Sequence, residues 1–301
     1  MSRFAAISTV AVLMMLFANF TFAVVDTSSK WLLGAGYVAV QLAFFRYATQ
    51  FAITSGVLAG LRGRGLAAAR PLLPALCLRA SLLVVSTLFV FAALQSLSLA
   101  VASAIMFSAP IIVCGLSWPL LGERVGRVRW AAVALGFAGV LVVIRPFGED
   151  IDPAAFLMLF AATGVALYSI MTRKLSRDVK PLIMQFLLGL TGTVALAPFC
   201  WTYWIAPAGA FDLALMVSLG LFAWIGHEFL IRAHQVAEAN FLMPYSYSYL
   251  IYMTAGGFVV FGDLPDTWTI LGALMIAMSG LVIWRREVVL MRTDDTGHLA
   301  R

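Results

Sequence analysis

Four ionisable side chains lie inside long apolar stretches of this sequence: Asp26, Arg46, Arg79 and Glu228. A charge in an apolar environment is unfavourable, so each of these groups is a candidate for a gate, an ion pair or a proton-binding site. His227 stands next to Glu228 and can serve as a proton relay or as a structural hydrogen-bonding group. The chemistry that these residues offer is reversible binding of charges or protons.

The four charged groups fall into two pairs of matched depth, at about 1.5 Å of rise per helical residue. Arg79 and Glu228 lie toward one end of their stretches, and Asp26 and Arg46 lie toward the other. Each pair either neutralises itself and holds helices together, or opens as a gate whose carboxylate then takes up a proton. The sequence leaves both interpretations open.

A tyrosine-rich stretch, PYSYSYLIY, offers a different kind of binding site. Tyr245, Tyr249 and Tyr252 share one helical face because they are spaced i, i+4 and i+7. Their rings can hold an apolar or aromatic side chain, while Ser246 and Ser248 can hydrogen-bond an amine or a carboxylate. The alternative role for the tyrosines is an aromatic belt at a membrane interface, or helix packing.

Polar residues in three other apolar stretches complete the candidate substrate site. Asn19 and Thr21 lie near the middle of the first stretch, Ser108 lies in the fourth and Tyr168 lies in the sixth. Small residues such as Ser108 also permit close packing of helices, which is the alternative role for that position.

The composition excludes soluble, disordered and disulfide-rich proteins. Of 301 residues, 62% are hydrophobic and 11% are charged, against about 45–50% and about 25% in soluble domains. Cys77, Cys114 and Cys200 are isolated and lack metal or redox spacing. The sequence contains no nucleotide-binding loop, zinc motif or nucleophile elbow. We therefore expect a polytopic membrane protein that is not an enzyme and that has no cofactor and no metal.

Long continuous apolar runs, separated by Gly, Pro and charged residues, predict an all-α protein with ten transmembrane helices. The predicted spans are 5–30, 38–61, 72–97, 100–121, 128–145, 154–173, 182–204, 213–233, 240–261 and 267–284. Sixteen of the twenty Lys and Arg residues lie in segments that are cytoplasmic if the N-terminus is inside. We therefore predict that both termini are cytoplasmic. A cleaved signal peptide ending near Ala23 is the alternative for the first span.

The sequence predicts two copies of one unit. Similar residues align when the chain is compared with itself at an offset of 140 residues without gaps. The shift aligns ALQ at 93–95 with AHQ at 233–235, and GE at 122–123 with GD at 262–263. Each half holds five spans, an odd number, so the second copy enters the membrane from the opposite side. The predicted units are a first repeat at 1–145, an inverted second repeat at 153–286, and a cytoplasmic tail at 287–301.

Several motifs follow one another in a specific order. They are RYA at 46–48, ALQSLSLAVASAIMFSAP at 93–110, GER at 122–124, GFAGVLVVIR at 136–145, LMP at 242–244, GD at 262–263 and GLVIW at 280–284. In this order they resemble the two halves of EamA-type drug/metabolite transporters. The two halves differ at one of these motifs. Arg124 follows the GE pair of the first half, whereas Leu264 follows the GD pair of the second half. This difference weakens any symmetrical role for Arg124.

The resemblance implies ten helices, a central cavity and export of small metabolites, and it is strongest to amino-acid exporters, including the YddG-type exporters of aromatic amino acids. We therefore predict a secondary transporter that exports aromatic or hydrophobic amino acids by alternating access, in a bacterial inner membrane. Multidrug or other metabolite export is the main alternative, followed by an intramembrane enzyme built on His227 and Glu228, a structural subunit and a passive channel. The expected partners are a small-molecule substrate and the bilayer, without nucleic acid; a monomeric state is left open.

Overall fold

The described part of the chain is built from helices. The computed structural model describes residues 2–61, 66–121, 127–145, 152–175, 178–236, 242 and 245–298. The helices are α1 (Ser2–Gly34), α2 (Ala39–Gly60), α3 (Leu66–Ala69), α4 (Leu73–Ala93), α5 (Leu99–Met106), α6 (Ser108–Leu121), α7 (Arg127–Ile144), α8 (Ala154–Leu175), α9 (Pro181–Thr202), α10 (Ala210–Val236), α11 (Ser248–Gly256) and α12 (Thr267–His298). A 3₁₀ turn (Arg70–Leu72) joins α3 to α4, and a π-helical turn (Gly257–Phe261) extends α11.

Five helical segments are long and apolar enough to cross a membrane. They are Thr9–Gly34, Arg70–Ala93, Ala154–Thr172, Pro181–Thr202 and Ala210–Ala233. Four shorter apolar segments are Leu99–Val113, Trp130–Ile144, Ser248–Phe261 and Thr267–Val282. Large apolar side chains such as Phe160, Phe211 and Val259 are exposed on the outside, as expected of helices that contact lipid. The chain is an all-α polytopic membrane protein.

The helix α2 has the length of a membrane span but a more polar sequence. Gln41, Arg46 and Gln50 interrupt its apolar residues. Gln41 and Gln50 are fully buried inside the bundle. Polar side chains of a spanning helix face the protein interior because lipid cannot hydrogen-bond them. Helix α2 therefore brings polar groups into the centre of the fold.

The helices pack in pairs that recur between the two halves of the chain. Helix α1 lies against α10 and α11, and α8 lies in the same way against α4 and α6. Helix α2 packs on α9 and α7 packs on α12, while α2 also contacts α10 and α4 also contacts α9. The correspondence between the halves follows chain order: α1 with α8, α2 with α9, α4 with α10, α5–α6 with α11, and α7 with α12. Under this correspondence, exchanging the two halves maps each of these contacts onto another of them or onto itself.

Glycines bring several of these pairs into close contact. A Cβ on Gly139 of α7 would lie 2.8 Å from the carbonyl oxygen of Gly272 of α12, and the reverse distance is 2.6 Å. A Cβ on Gly220 of α10 would lie 2.4 Å from the carbonyl oxygen of Arg46. Small residues allow helix backbones to approach in this way inside a membrane. The polar face of α2 is consequently pressed against α10.

The fourth predicted span is broken at Phe107, between α5 and α6. Pro110 has no backbone N–H, so it cannot donate the helical hydrogen bond to the carbonyl of Met106. In the ninth predicted span, residues 240–241 and 243–244 lie outside the described ranges, and α11 begins at Ser248. Phe107, at the break in the fourth predicted span, stacks on Tyr247, just before α11, with a distance of 4.9 Å between ring centroids.

Side-chain caps fix where three helices begin. The Ser98 hydroxyl accepts from Val101 N at 3.3 Å, and the Asp152 carboxylate accepts from Ala154 N at 2.9 Å. Asp266 accepts from the backbone N of Thr269 at 2.9 Å at the start of α12. Such caps satisfy backbone donors that have no partner within the helix. The last predicted span ended at residue 284, whereas α12 continues to His298 through most of the predicted tail.

Candidate functional site

Asn19 is buried on α1 and ties this helix to the segment that leads into α11. Its amide nitrogen donates to the carbonyl oxygens of Tyr245 (3.1 Å) and Ser246 (3.4 Å) and to the hydroxyl of Ser248 (3.0 Å). The Ser248 hydroxyl donates in turn to the Tyr245 carbonyl at 2.7 Å. The network joins four of the residues predicted to bind substrate.

Asp26 lies two turns further along α1 and is only 8% exposed. The Tyr249 hydroxyl donates to Asp26 Oδ2 at 2.5 Å. The Tyr249 ring lies 6.3 Å from the Phe107 ring, centroid to centroid. A Cβ on Gly256 would lie 2.6 Å from the Thr27 hydroxyl, so α1 and α11 are in close contact here. Asp26 therefore accepts a hydrogen bond from a neutral hydroxyl of α11.

Lys30 lies one turn beyond Asp26 on α1. Its ammonium donates to the carbonyl oxygen of Leu97 at 2.5 Å and lies 3.8 Å from the carboxylate of Asp263. It also lies 5.4 Å from the centre of the Phe261 ring. Lys30 thereby connects the end of α1 to the fourth and ninth predicted spans, through Leu97 just before α5 and Asp263 just after the π-helical turn.

A cavity of about 420 Å³ opens at this end of the bundle, and Lys30 lines it together with Tyr37, Gln95 and Phe261. This volume lies within the range of small-molecule sites, roughly 300–1,000 Å³. The Tyr37 hydroxyl donates to the carboxylate of Asp212 at 2.6 Å and accepts from Ala208 N at 2.8 Å. The hydrogen bond to Asp212 raises the pKa of Tyr37 above its ordinary value. The cavity is bounded by polar groups at its mouth.

Arg145 and Asp266 form an ion pair between the end of α7 and the start of α12. Both side chains are nearly half exposed, at 48% and 45%. Partial burial alone would raise the pKa of Asp266, but the hydrogen bonds from Thr269 and the Arg145 guanidinium lower it below its ordinary value. Arg145 also has a left-handed backbone conformation, with a φ of 50°.

Arg46 is the least satisfied charged group in the described interior. Its Nε is buried without a hydrogen-bond partner, and its other nitrogens bond no described residue. Its charge acts on Asp26, Tyr249 and His227, although it forms no ion pair with Asp26. One turn away on α2, the amide nitrogen of Gln50 is also buried and unpaired. The predicted pair of Asp26 and Arg46 therefore shares a region without direct contact.

Arg79 has the opposite environment, with three neutral acceptors. It is 3% exposed, and it donates to the hydroxyls of Thr172 and Tyr168, each at 2.6 Å. A longer bond of 3.4 Å reaches the carbonyl of Met184. The guanidinium carbon lies 4.3 Å from the centre of the Tyr168 ring. Tyr168 was predicted to bind substrate, and its hydroxyl instead binds Arg79.

Glu228 does not pair with Arg79 as the depth argument predicted. It forms an i,i+4 ion pair with Arg232 at 2.9 Å, and its second oxygen accepts from the Gln185 amide at 3.4 Å. The depth estimate was wrong about the partner because Arg232 lies one turn away on the same helix. His227 packs its ring edge-on to Phe22 at 5.0 Å, and its Nε2 is buried without a described partner.

The three tyrosines of the predicted stripe all face α1. Tyr249 binds Asp26, Tyr252 packs edge-on to Phe20 at 5.6 Å, and Tyr245 belongs to an apolar cluster that includes Met15. Phe20 is 45% exposed, so Tyr252 lies toward the outside of the bundle. Tyr249 therefore contacts a charged group of α1.

Two further predicted residues have contrasting surroundings. The Thr21 hydroxyl donates to the Ala18 carbonyl at 2.7 Å, and a Cβ on Gly226 would lie 2.6 Å from it. These contacts are typical of a helix-packing residue. Ser108 is buried at the break between α5 and α6, and its hydroxyl has no described partner. Ser108 therefore remains a candidate for binding, whereas Thr21 contributes to packing.

Comparison with known proteins points to one family. Residues 9–145 match the EamA-like transporter family. A solved crystal structure superposes with a TM-score of 0.61 at 21% identity and covers 95% of this chain and 98% of its own, which shows a shared fold. The curated relatives carry transporter names. The first half of the chain thus resembles the EamA-like transporter family, and the curated relatives are transporters of this type.

Three relatives of this chain differ in the cargo that their names give. An S-adenosylmethionine uptake transporter of Rickettsia felis is 28% identical over 65% of this chain and 66% of its own length. A riboflavin transporter of Rhizobium johnstonii is 29% identical over 93% and 92%. A pseudopaline exporter of Pseudomonas aeruginosa is 26% identical over 92% and 96%. The matches to Rickettsia transporters span a little less than two thirds of those proteins.

Several features of the described interior were not predicted from the sequence. Gln50 and Gln185 carry buried unpaired atoms near the charged groups, and Tyr247 stacks on Phe107. A signal for the stacked pair was present, because the 140-residue shift aligns Phe107 with Tyr247. The signal for Gln50 was its spacing of one helical turn from Arg46. In the described residues, no three His, Cys, Asp or Glu side chains are grouped to hold a metal.

Proposed function

We propose that this EamA-type transporter exports small amphipathic metabolites, and that its preferred substrates are amino acids with aromatic or hydrophobic side chains. The observation that carries the proposal is the pairing of Asp26 with Tyr249 close to Arg46, which has no hydrogen-bond partner in the described interior. An amphipathic solute needs both features of this region: charged groups for its polar end and aromatic rings for its side chain.

Alternating access is the mechanism, with the two five-helix halves rocking about the region between them. The proposed topology has ten spans, both termini in the cytoplasm and an inverted repeat, in a bacterial inner membrane. The recurring helix contacts support the repeat, because α1 with α10 corresponds to α8 with α4. The stacked rings of Phe107 and Tyr247 support a site at the junction, since these residues occupy equivalent positions in the two halves.

Access from the two sides is controlled by different ionic contacts. Lys30 with Asp263 is the candidate latch beside the cavity of about 420 Å³. Toward the predicted cytoplasmic end, its counterpart is Glu228, which pairs with Arg232 on α10 and accepts from Gln185 of α9. Asp26 and Glu228 remain the candidates for proton coupling. Arg79 is assigned to holding α4, α8 and α9 together, because its acceptors come from α8 and α9.

Transport of other metabolites is the second candidate function. The names of the relatives favour it, because they include S-adenosylmethionine, riboflavin and pseudopaline and both uptake and export. The direction of transport therefore has to be measured from both sides of the membrane.

The test is flux through purified protein in liposomes. The liposomes are loaded with all twenty amino acids, and efflux of each is followed with and without a proton gradient. Riboflavin and S-adenosylmethionine are included, and uptake is measured in parallel. Selective efflux of aromatic and branched-chain amino acids above protein-free liposomes is expected. Flux of riboflavin without any amino acid would favour the second candidate, and silence across the panel would refute transport of these compounds.

A further inference from the structure

The interior of the transporter holds two donors with nothing to bind. Arg46 Nε and Gln50 Nε2 are buried, unpaired and one helical turn apart on α2. A buried donor without an acceptor is unfavourable by about 1–3 kcal/mol, and more when it is charged. Two such donors side by side form a site for an anionic acceptor with two oxygens, because guanidinium and amide groups bind a carboxylate together.

The backbone around these donors is fixed rather than open to collapse. Gly220 of α10 packs against the carbonyl of Arg46 and lies so close that a Cβ would be 3.1 Å from Gln50 N. On the adjacent turn, the Tyr47 hydroxyl lies 2.6 Å from Thr87 Oγ1 and 3.1 Å from the Leu83 carbonyl. Helix α2 is thus held on two sides, and Arg46 and Gln50 are held with it.

A group of opposite charge faces the same region. Helix α10 contacts both helices, because Gly226 packs against Thr21 of α1 and Gly220 packs against the carbonyl of Arg46. Asp26 of α1 forms no ion pair with Arg46 in the described structure. Its direct partner is the Tyr249 hydroxyl at 2.5 Å. Since one carboxylate oxygen accepts the Tyr249 bond, the other oxygen has no hydrogen bond in the described structure and can accept from a substrate ammonium group. Arg46 and Asp26 do not neutralise each other, so together they can bind a solute that carries an ammonium group and a carboxylate on one carbon atom.

We propose that Arg46 and Gln50 bind the carboxylate of a zwitterionic substrate, and that Asp26, oriented by Tyr249, binds its ammonium group. This inference rests on the proposed transport function and narrows it to solutes with both charges. Lys30, which lines the cavity, lies one turn from Asp26 on α1. Arg79 has no place in this site, because neutral acceptors already occupy its donors.

The experiment compares three solutes that differ only in charge. L-phenylalanine, 2-phenylethylamine and 3-phenylpropanoate share one side chain and carry two charges, a positive charge and a negative charge respectively. L-leucine with 3-methylbutylamine and 4-methylpentanoate forms a second set. Each is offered to liposomes that hold the wild-type protein, Arg46→Gln, Arg46→Lys, Asp26→Asn or the control Arg145→Gln. Thermal unfolding in detergent checks that every variant is folded.

The wild-type protein is expected to move an amino acid at least about tenfold faster than either singly charged analogue, because a lost partner leaves a buried charge unpaired. Arg46→Gln should slow the amino acid at least about tenfold and leave the amine within about twofold. Asp26→Asn should also slow the amino acid at least about tenfold, and it should leave the acid within about twofold. Arg46→Lys should retain part of the rate, and Arg145→Gln should behave as wild type.

Two outcomes would overturn the zwitterion site. One is a wild-type protein that moves the amine or the acid as fast as the amino acid. The other is folded Arg46→Gln protein that keeps its discrimination between the three solutes. Flux of riboflavin without flux of either amino acid would overturn this site but leave transport intact. Absence of all flux would refute both proposals, so the two failures are distinguishable.

Discussion

Arg79 and Arg46 are the same residue type, and both lie inside the membrane bundle, yet their surroundings differ. Arg79 is 3% exposed and donates to two hydroxyls and a carbonyl, with an aromatic ring against its guanidinium. The Arg46 guanidinium carbon lies 5.8 Å from the centre of the Tyr47 ring, but its Nε is buried without a hydrogen-bond partner, and Arg46 forms no hydrogen bond with a described residue. A charge that the protein already satisfies stabilises the fold, whereas a charge left unsatisfied is available to a ligand.

The difference follows from what the neighbouring helices contribute. Helix α8 presents Tyr168 and Thr172 to Arg79, four residues apart on one face, and α9 adds the Met184 carbonyl. Near Arg46, α10 contributes Gly220, which has no side chain to accept a hydrogen bond. Depth in the membrane is therefore a poor guide to the role of a charged residue, and the side chains opposite it decide.

The largest expected effect is on stability, in Arg79→Gln. The substitution removes up to three hydrogen bonds from a charged donor and leaves buried acceptors behind, which we expect to lower the free energy of unfolding by about 3 kcal/mol. Thermal unfolding in detergent measures the loss. Arg46→Gln is the matched control and should change the melting temperature little. Equal destabilisation by both substitutions would remove the distinction between the two arginines.

Tyr168→Phe sharpens the assignment of Arg79. The ring stays in place over the guanidinium, but one acceptor is lost and an Arg79 nitrogen is left unpaired. We expect a loss of about 1–2 kcal/mol in unfolding free energy, with unchanged discrimination among zwitterion, amine and acid in liposomes. A change of substrate preference without a loss of stability would return Tyr168 to the substrate site.

Tyr249→Phe tests the proposed binding site at Arg46 and Asp26. It removes the hydroxyl that orients Asp26, so transport of a zwitterion should slow about fivefold, corresponding to about 1 kcal/mol. Tyr252→Phe is the matched control, because the Tyr252 ring packs on Phe20 and its hydroxyl binds no described residue. Initial rates of flux in liposomes measure both variants. Similar rates for the two would argue against a special role of Tyr249.

The smallest expected effect concerns a third arginine, Arg145, in its exposed ion pair with Asp266. The pKa of Asp266 is lowered below its ordinary value of 3.8 in the folded protein. The stabilisation is therefore fully present above pH 3.8 and is lost as the pH falls through the lower folded value. Because the pair is nearly half exposed, Arg145→Gln should lower the melting temperature by only about 1 °C at neutral pH.

Melting curves of wild type and Arg145→Gln across the acidic range test this prediction. The difference between them should shrink as the pH falls below the ordinary value for Asp266. The cap that Asp266 forms with Thr269 is retained in Arg145→Gln, so the comparison isolates the ion pair. A difference that grows on acidification would contradict the sign of the effect.

The membrane class and the resemblance to EamA-type transporters were predicted from the sequence, and the apolar helices, the family match over residues 9–145 and the names of the relatives support both. The count of ten spans, the topology and the repeat stay predictions. Five of the predicted residues do form contacts between α1 and the ninth predicted span: Asn19 with Ser246 and Ser248, and Asp26 with Tyr249. The pairing of Arg79 with Glu228 was wrong, because depth gives position along one axis and not the angle around the helix.

Composition and periodicity by themselves determined that the chain enters a membrane and which residues have chemistry to offer, since both properties are local to the sequence. Which charge is satisfied was decided only by tertiary packing. Tyr168, Thr172 and Met184 are 89, 93 and 105 residues from Arg79 in sequence, and Gly220 is 174 residues from Arg46. A hydrogen bond depends on distance and direction between two atoms, and for residues on different helices these are fixed by how the helices cross.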